Sequence, residues 1–276
     1  GWELIADGFS FAEGPALAPD GSIFFSDLED SKLYRIGTEE QAKPEVWLNQ
    51  SGGTNGLAFD KNGRLYGCRR NASQVVRWDV DSKEMTVLVD NVKPNDIVVA
   101  HDDTVYFTEP RKRAVWCIPA DERRKPFIAA DNYSGVNGVV LSPDQSFVYA
   151  ADYGGRYVWA AKRADDGSLI HNQAFYHLHQ PPASTDTRSQ ADGMCVDQSG
   201  WLLVATVMGI QCLEPRGMVH LILPPPVGAR HPANLCFAAD GSTLIAACGD
   251  KVYRRRTRFQ AAVPYAPPRK PTARKW

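Results

Sequence analysis

Six side chains that end in an oxygen recur along this chain at a nearly constant interval, and each opens a short segment of similar composition. The successive steps between them are 42, 40, 42, 55 and 42 residues. Carboxylate and amide oxygens, with no Cys or His among them, are the ligands that calcium and magnesium prefer. If the fold brings them together, they predict a site for a hard divalent cation. The six are Glu13, Asn55, Asn95, Asn137, Asp192 and Asn234.

The interval itself indicates which elements would position these side chains. A repeat near 40 residues is typical of a solenoid, a propeller or an array, and the content of each unit decides which. Each opening segment is followed by a hairpin signal such as Pro19-Asp20-Gly21 or Lys61-Asn62-Gly63, and then by an aromatic and β-branched run such as Thr104-Val105-Tyr106-Phe107. Four strands in each of six units predict an all-β protein, a six-bladed β-propeller with a central channel.

The repeat runs without a break from residue 13 to about 256, which predicts a single propeller domain over residues 1–256. Residues 257–276 then form a Pro-rich basic tail. The segment Trp2 to Ala6 lies outside the repeat. We expect residues 2–6 to supply the outer strand of the last blade and so to close the ring.

Propeller geometry predicts that the six oxygen-bearing residues meet at one mouth of the channel, because the inner strand of every blade begins there. The second strand of each blade returns antiparallel, so Arg69, Glu109 and Asp152 are expected at the same mouth. Two acidic residues, Glu13 and Asp192, would repel each other there unless a cation lies between them. The alternative is that the Asn-Gly and Asp-Gly pairs are repeated turn residues. That alternative does not explain Glu13, a poor turn former.

Four motifs in order carry a resemblance to a known family: Glu13-Gly14-Pro15, Pro94-Asn95-Asp96, Val136-Asn137-Gly138 and Asp192-Gly193-Met194. From Ala12 to about Tyr253 the chain resembles the gluconolactonase and regucalcin (senescence marker protein) family. The resemblance implies that Glu13, Asn137 and Asp192 ligate one calcium ion, with Asn95 as a further ligand or a substrate contact. Magnesium, manganese and zinc stay open as the metal.

The resemblance also implies the activity, a metal-dependent hydrolysis of a sugar lactone in which Asp192 assists the attack of water. Two alternatives stay open. One is a metal-dependent esterase or phosphotriesterase that uses the same site, and the other is a non-catalytic propeller that binds a ligand or a protein. The residues predicted to contact substrate are Asn55, Arg69, Glu109, Asp152, Tyr153, His231 and Asn234.

The one long step, from Asn137 to Asp192, contains about 13 additional residues centred on Gln180 to Gln190. Loops of that length beside a binding face often act as lids, and an irregular insertion is the alternative.

Composition restricts the partners. The chain of 276 residues has 31 Lys and Arg against 32 Asp and Glu, so no basic field for nucleic acid or an anionic membrane is predicted. No apolar stretch approaches the roughly 20 residues of a membrane helix. The expected partner is the small-molecule substrate that the resemblance implies, a sugar lactone, and the oligomeric state stays open.

The six cysteines show no C-x-x-C spacing, so free thiols are predicted, with a Cys195–Cys236 bridge as the alternative. Because the chain starts at Gly1, a trimmed N-terminus is expected. The compartment of this soluble protein is then open, either cytoplasmic or, after processing, periplasmic or secreted.

Overall fold

The computed structural model describes residues 1–39, 41–121, 123–182, 185–186 and 188–271. Within those ranges all 22 strands pair antiparallel, and the single helical element is a 3-10 turn at Pro110–Lys112. Four repeat units each form a sheet of four strands, in the order in which the chain reaches them or its reverse. These sheets contain β5 (Thr54–Phe59), β6 (Leu65–Arg69), β7 (Gln74–Trp78) and β8 (Met85–Asp90); β9 (Ile97–Val99), β10 (Val105–Glu109), β11 (Ala114–Ile118) and β12 (Phe127–Ala130); β13 (Val136–Leu141), β14 (Phe147–Asp152), β15 (Tyr157–Arg163) and β16 (Leu169–His177); and β17 (Met194–Val196), β18 (Leu202–Thr206), β19 (Gly209–Leu213) and β20 (Val219–Leu223).

The first and last repeat units share the fifth sheet, which has six strands. Its first strand is 15 residues long and pairs with the last unit through Glu3–Ala12 and with the first unit through Ala12–Leu17. The all-β propeller is confirmed, but the prediction of six separate blades is wrong, since the described strands form five sheets. The cause is that the chain crosses from one unit to the other inside a single strand, without a turn. The sheet has the order β21 (Asn234–Phe237), β22 (Thr243–Arg256), β1 (Glu3–Leu17), β2 (Ile23–Asp27), β3 (Lys32–Ile36), β4 (Glu45–Asn49).

The two ends of the propeller meet in this shared sheet. Glu3 lies opposite Arg254 and Leu4 opposite Tyr253. The indole of Trp2 donates a hydrogen bond to the carbonyl of Pro224, 2.8 Å away. The N-terminal segment thus forms an antiparallel pair with the last long strand.

Each inner strand ends in a tight turn. The last residue of each three-residue turn segment, such as Gly21 in Pro19-Asp20-Gly21, has a positive φ. That residue is Gly in four units, with φ between 69° and 89°. In the other two it is Asp103, with φ 69°, and Gln145, with φ 56°. Its N–H closes the turn on the carbonyl three residues earlier, as from Gly21 to Ala18 at 2.9 Å. The hairpin turns predicted from composition are therefore present in all six units.

The core lies between neighbouring sheets rather than within one of them. The second strand β2 is buried at every position, whereas the outer strand β8 is exposed or half-buried throughout. Between the first two units Phe24 packs edge-on against Trp47 and Phe59 at ring-centroid distances of 5.4 and 5.2 Å. Inner strands are thus fixed from both sides, which is what a precise site at their ends requires.

A mainly apolar cavity of about 110 Å³ lies among the inner strands of all six units. Residues 261–265 line one side of it, so this part of the tail packs against the propeller. There Ala262 donates to the carbonyl of Val196, and Gln145 donates to the carbonyl of Pro264. A continuous channel through the ring stays a prediction.

All six cysteines are free, including Cys195 and Cys236, so no bridge joins that pair. Among the described residues, no helix has both the length and the apolarity that a membrane span needs.

Candidate metal and hydrolytic site

The starts of adjacent inner strands approach so closely that only glycine fits at three of them. A Cβ on Gly56 would lie 2.3 Å from a carboxylate oxygen of Asp96, and one on Gly138 would lie 2.2 Å from the carbonyl oxygen of Asp192. A Cβ on Gly193 would lie 2.0 Å from the amide oxygen of Asn234. None of the three has a positive φ. At these three positions the glycine therefore serves close approach between neighbouring strands and not a turn.

This approach brings together three carboxylates and two amides, which we name the carboxylate cluster: Glu13, Asp96, Asp192, Asn137 and Asn234. The amide oxygen of Asn234 accepts from the N–H of Leu235 at 2.8 Å, and the amide is close enough to Glu13 and Asp96 to lower the pKa of both carboxyl groups. The amide of Asn137 acts on the pKa of Asp192 in the same direction. Glu13 and Asp96 are buried, whereas Asp192 is half-buried.

Burial raises the pKa of every carboxyl group in the cluster. For Glu13 the loss of hydration is the main cause and the charge of Asp96 adds to it, while the Gly14 N–H and the charge of Arg70 act in the opposite direction. For Asp192 burial again comes first, followed by the charges of Glu13 and Asp96, and its pKa lies well above its ordinary range. The cluster thus holds carboxylates whose ionised forms are mutually unfavourable.

Burial also raises the pKa of Asp96, to about 6, although the N–H groups of Ile97 and Val139 donate to its carboxylate. The bond from Val139 is 3.1 Å long and crosses to the next inner strand. Asp96 therefore ties two blades together as well as contributing charge.

The sequence prediction placed Asn95 in this cluster and missed Asp96. The spacing of the repeat could have indicated Asp96. From Asn55 to Asp96 and from Asp96 to Asn137 the steps are 41 and 41 residues, whereas counting to Asn95 gives 40 and 42. Asn95 itself is half-buried and lines a groove on the same face of the propeller. Its backbone N–H and carbonyl are bonded to Thr108 and Gly56.

The donor set fits a divalent cation. It consists of oxygens alone, and two of its carboxylates, Glu13 and Asp192, raise each other's cost of ionisation, which a cation would offset. Among the described residues no three His, Cys, Asp or Glu side chains are grouped so as to hold a metal by themselves. A cation here would therefore also need amide oxygens as ligands. Two candidates are Asn137, which lies close to Asp192, and Asn95, which precedes Asp96 in the sequence.

The predicted substrate contacts at the ends of the second strands bond within their own blades. Glu109 accepts from the N–H of Lys93 at 3.0 Å and from the indole of Trp116 at 2.9 Å. Asp152 accepts in the same way from the N–H groups that precede its own inner strand. Arg69 donates to the carbonyl of Ser51 at 2.9 Å. The structure thus uses these three to fix the segments leading into the inner strands, and substrate contact by them stays a prediction.

The remaining predicted contacts differ in exposure. Asn55 is buried, and its carbonyl accepts from the hydroxyl of Ser26 at 2.9 Å. Tyr153 is half-buried and lies close enough to Asp192 for that charge to raise the pKa of its phenol, although burial is the larger cause. His231 is exposed on the loop that leads to Asn234.

The segment predicted as a lid is partly outside the described residues, which omit 183, 184 and 187. Of the described part, the N–H of Ser189 donates to the carbonyl of Gly155 at 2.8 Å, and Arg188 pairs with Asp186 at 2.8 Å. A lid function stays a prediction.

Residues 11–247 match the family model described as the SMP-30/gluconolactonase/LRE-like region. The chain belongs to this family. The matched range contains all six oxygen-bearing residues and the whole carboxylate cluster, so the resemblance found in the sequence motifs is confirmed. No protein with a curated description matches the sequence at a significant level.

Solved structures of this SMP-30/gluconolactonase type share the fold over nearly the full length. One provisionally described as a gluconolactonase has a TM-score of 0.82 at 20% identity, covering 94% of this chain and 93% of its own. The gluconolactonase XC5397 from Xanthomonas campestris has a TM-score of 0.79 at 23% identity, covering 94% and 89%. A calcium-binding regucalcin from Agrobacterium tumefaciens has a TM-score of 0.75 at 12% identity, covering 95% and 97%. At such identities the likeness shows the fold.

Proposed function

We propose that this protein is a metal-dependent hydrolase that opens a sugar lactone. The observation that carries the proposal is the buried carboxylate cluster at the point where the inner strands converge, in a chain of the SMP-30/gluconolactonase family. Two of the structural relatives are described as gluconolactonases and one as a calcium-binding protein, which supports the reaction and the cation.

In this proposal Glu13, Asn137 and Asp192 hold one divalent cation, most simply calcium, with Asn95 as a further ligand or a substrate contact. When bound, the cation would supply Lewis-acid polarisation of the lactone carbonyl. The amide of Asn234, which lowers the pKa of Glu13, would help to keep that carboxylate ionised and oriented. Asp96 fixes the adjacent inner strand by accepting from Val139.

Asp192 is the proposed catalytic base. Its carboxylate takes a proton from water as the water oxygen bonds to the lactone carbonyl carbon. The ring C–O bond then breaks, and the departing alkoxide oxygen receives a proton, which gives the hydroxy acid. The amide of Asn137, which lowers the pKa of Asp192, would hold that carboxylate in one orientation during these transfers.

The test combines metal analysis of the purified protein with an acid-release assay on a panel of lactones, since every lactone opened liberates one acid. We expect one cation per chain and turnover that a chelator abolishes and added calcium restores. Turnover of carboxylic esters or phosphotriesters but not of lactones would favour the esterase alternative. A stoichiometric cation with no turnover on any of these would favour the ligand- or protein-binding propeller.

A further inference from the structure

A polar groove of about 280 Å³ opens on the same face of the propeller as the carboxylate cluster. It lies where four loops meet: the turn after β2, the turn after β6, the segment before β9 and the turn after β10. Each of the last three loops contributes one cation. We name it the basic groove, and its charged and polar lining comprises Arg70, Lys93, Arg111, Glu29, Asn71 and Asn95.

The three cations of the basic groove form no ion pair with any carboxylate of the described residues. Some exposed arginines elsewhere do form such pairs, and Arg123 and Arg216 each pair with a local carboxylate at 2.8 Å. Lys93 instead donates from Nζ to the backbone carbonyl of Arg70 at 3.3 Å, which keeps the two cationic residues adjacent. Arg70 and Arg111 are exposed and Lys93 is half-buried.

Three unpaired cations in one concave site repel one another, so the arrangement favours an anionic ligand. Arginine offers two parallel N–H donors that match the oxygens of a carboxylate or a phosphate. Glu29 stands exposed in the same groove and would repel a second anion, while its oxygens suit the hydroxyl groups of a sugar. The groove thus fits a polyhydroxylated molecule with one anionic end.

The basic groove is continuous with the proposed site. Asn95 lines the groove, and the next residue, Asp96, belongs to the carboxylate cluster. Arg70 is close enough to Glu13 for its charge to act on that carboxylate. A lactone with its carbonyl at the cluster would therefore extend its far end toward the three cations.

We infer that the substrate is a sugar lactone that carries an anionic group, a carboxylate or a phosphate, at the end remote from its carbonyl, and that Arg70, Lys93 and Arg111 bind this group. That the substrate is a lactone rests on the proposed function, whereas binding of the anionic group rests on the groove alone.

Binding is tested first on the ring-opened acids, which require no turnover. Isothermal titration calorimetry on the calcium-loaded protein would compare gluconate, whose single carboxylate is the one expected at the cluster, with 6-phosphogluconate and glucarate, which carry a second anionic group at the remote end. We expect at least one of the last two to bind tenfold or more tightly than gluconate. Whichever is preferred identifies phosphate or carboxylate as the anionic group.

Variants then locate the contact. Arg70→Gln and Arg111→Gln should each reduce that preference several-fold and leave gluconate affinity within twofold. The matched control is Arg216→Gln, which removes an exposed arginine that pairs with Glu214 on another loop. Equal affinity for all three acids, or loss of affinity for gluconate in parallel, would overturn the inference.

Turnover separates this inference from the proposed function. Glucono-1,5-lactone, its 6-phosphate and a glucarolactone would be compared by kcat/KM, with the preference for the anionic lactone expected in KM. Lactone turnover without any preference overturns the inference and leaves the lactonase. Preferential binding of an anionic acid that Arg70→Gln removes, with no lactone opened, supports the groove and overturns the lactonase.

Discussion

At the scale of single residues, the cluster combines a buried carboxylate, Glu13, with a neutral amide close to it, Asn234. Glu13 brings a charge whose burial is unfavourable, and the neutral amide of Asn234 lowers the pKa of Glu13 and so partly offsets that cost. A cation bound beside Glu13 and Asp192 would relieve the same cost more completely. Substitutions of single residues can therefore test separately the charge of Glu13, the ligation of the cation by Asn137 and the catalytic role of Asp192.

Glu13→Gln should lower calcium affinity tenfold or more, because it removes one of only two anionic ligands in the proposed set. Asn137→Ala should act in the same direction but more weakly, since it removes a neutral ligand. Calorimetric titration with calcium measures both. Glu214→Gln, a change on the loop between β19 and β20, serves as the control and should leave the affinity unchanged. Calcium binding by Glu13→Gln at the original strength would contradict the ligand assignment.

Asp192→Asn should reduce kcat by roughly 10² or more at full cation occupancy, the usual scale for losing a positioned base. The amide keeps an oxygen for the cation but does not accept a proton from water. Metal affinity should fall less than turnover does. The measurement is lactone hydrolysis after occupancy has been established by metal analysis. Full recovery of activity with added calcium would make Asp192 a ligand only.

At the scale of elements, the site depends on how closely the inner strands approach. The hydroxyl of Ser26 bonds the carbonyl of Asn55, and the N–H of Gly56 bonds the carbonyl of Asn95. These bonds run between neighbouring units at the level of the cluster. Geometry at the site is therefore set by contacts between blades and not inside one blade.

Gly138→Ala should destabilise the protein and weaken calcium binding together, because its Cβ would force β13 away from the carbonyl of Asp192. Gly63→Ala is the matched control. It has open space around the added Cβ but a φ of 80°, so it carries only a backbone cost of about 1–2 kcal/mol. Thermal unfolding and calcium titration of both variants make the comparison. Gly138→Ala with unaltered calcium affinity would show that the cluster tolerates separation of the strands.

At the scale of the whole molecule, the ring is closed by strand pairing between the two ends of the propeller. The first strand β1 is hydrogen-bonded to β22 on one side and to β2 on the other. Ile5 and Ala6 pack against a core that includes Phe25 and Val252. Because these contacts join the first and last units, loss of the pairing should affect every blade indirectly.

Deletion of residues 1–7 should lower Tm by roughly 5 °C or more, corresponding to a loss of about 3 kcal/mol for a chain of this size. The control is Arg254→Gln, which removes the exposed ion pair to Glu3 but leaves the strand in place. That change should cost at most about 1 kcal/mol. Equal shifts in Tm for the deletion and for Arg254→Gln would mean that the ion pair, and not the strand, stabilises the closure of the ring.

Local chemistry determined much of this protein from its sequence alone. Turn residues such as Gly21 and Asp103 specify a positive φ through their own backbone preferences, so the six hairpins could be predicted without tertiary information. The repeat interval likewise predicted a propeller and placed Glu13 and Asp192 at converging strand ends. Both signals are periodic, and periodicity survives in a linear sequence.

The tertiary structure decided which side chains meet and which bond elsewhere. Asp96 joins the cluster because the strand register turns it inward, a displacement of one residue that reverses the face of a strand. Glu109 and Asp152 reach the predicted end of their strands but are engaged by backbone N–H groups there. The merging of the first and last units into one sheet, and the meeting of Arg70, Lys93 and Arg111 in a groove, depend on contacts between distant segments. No local preference encodes such contacts, because they exist only when the ring has closed.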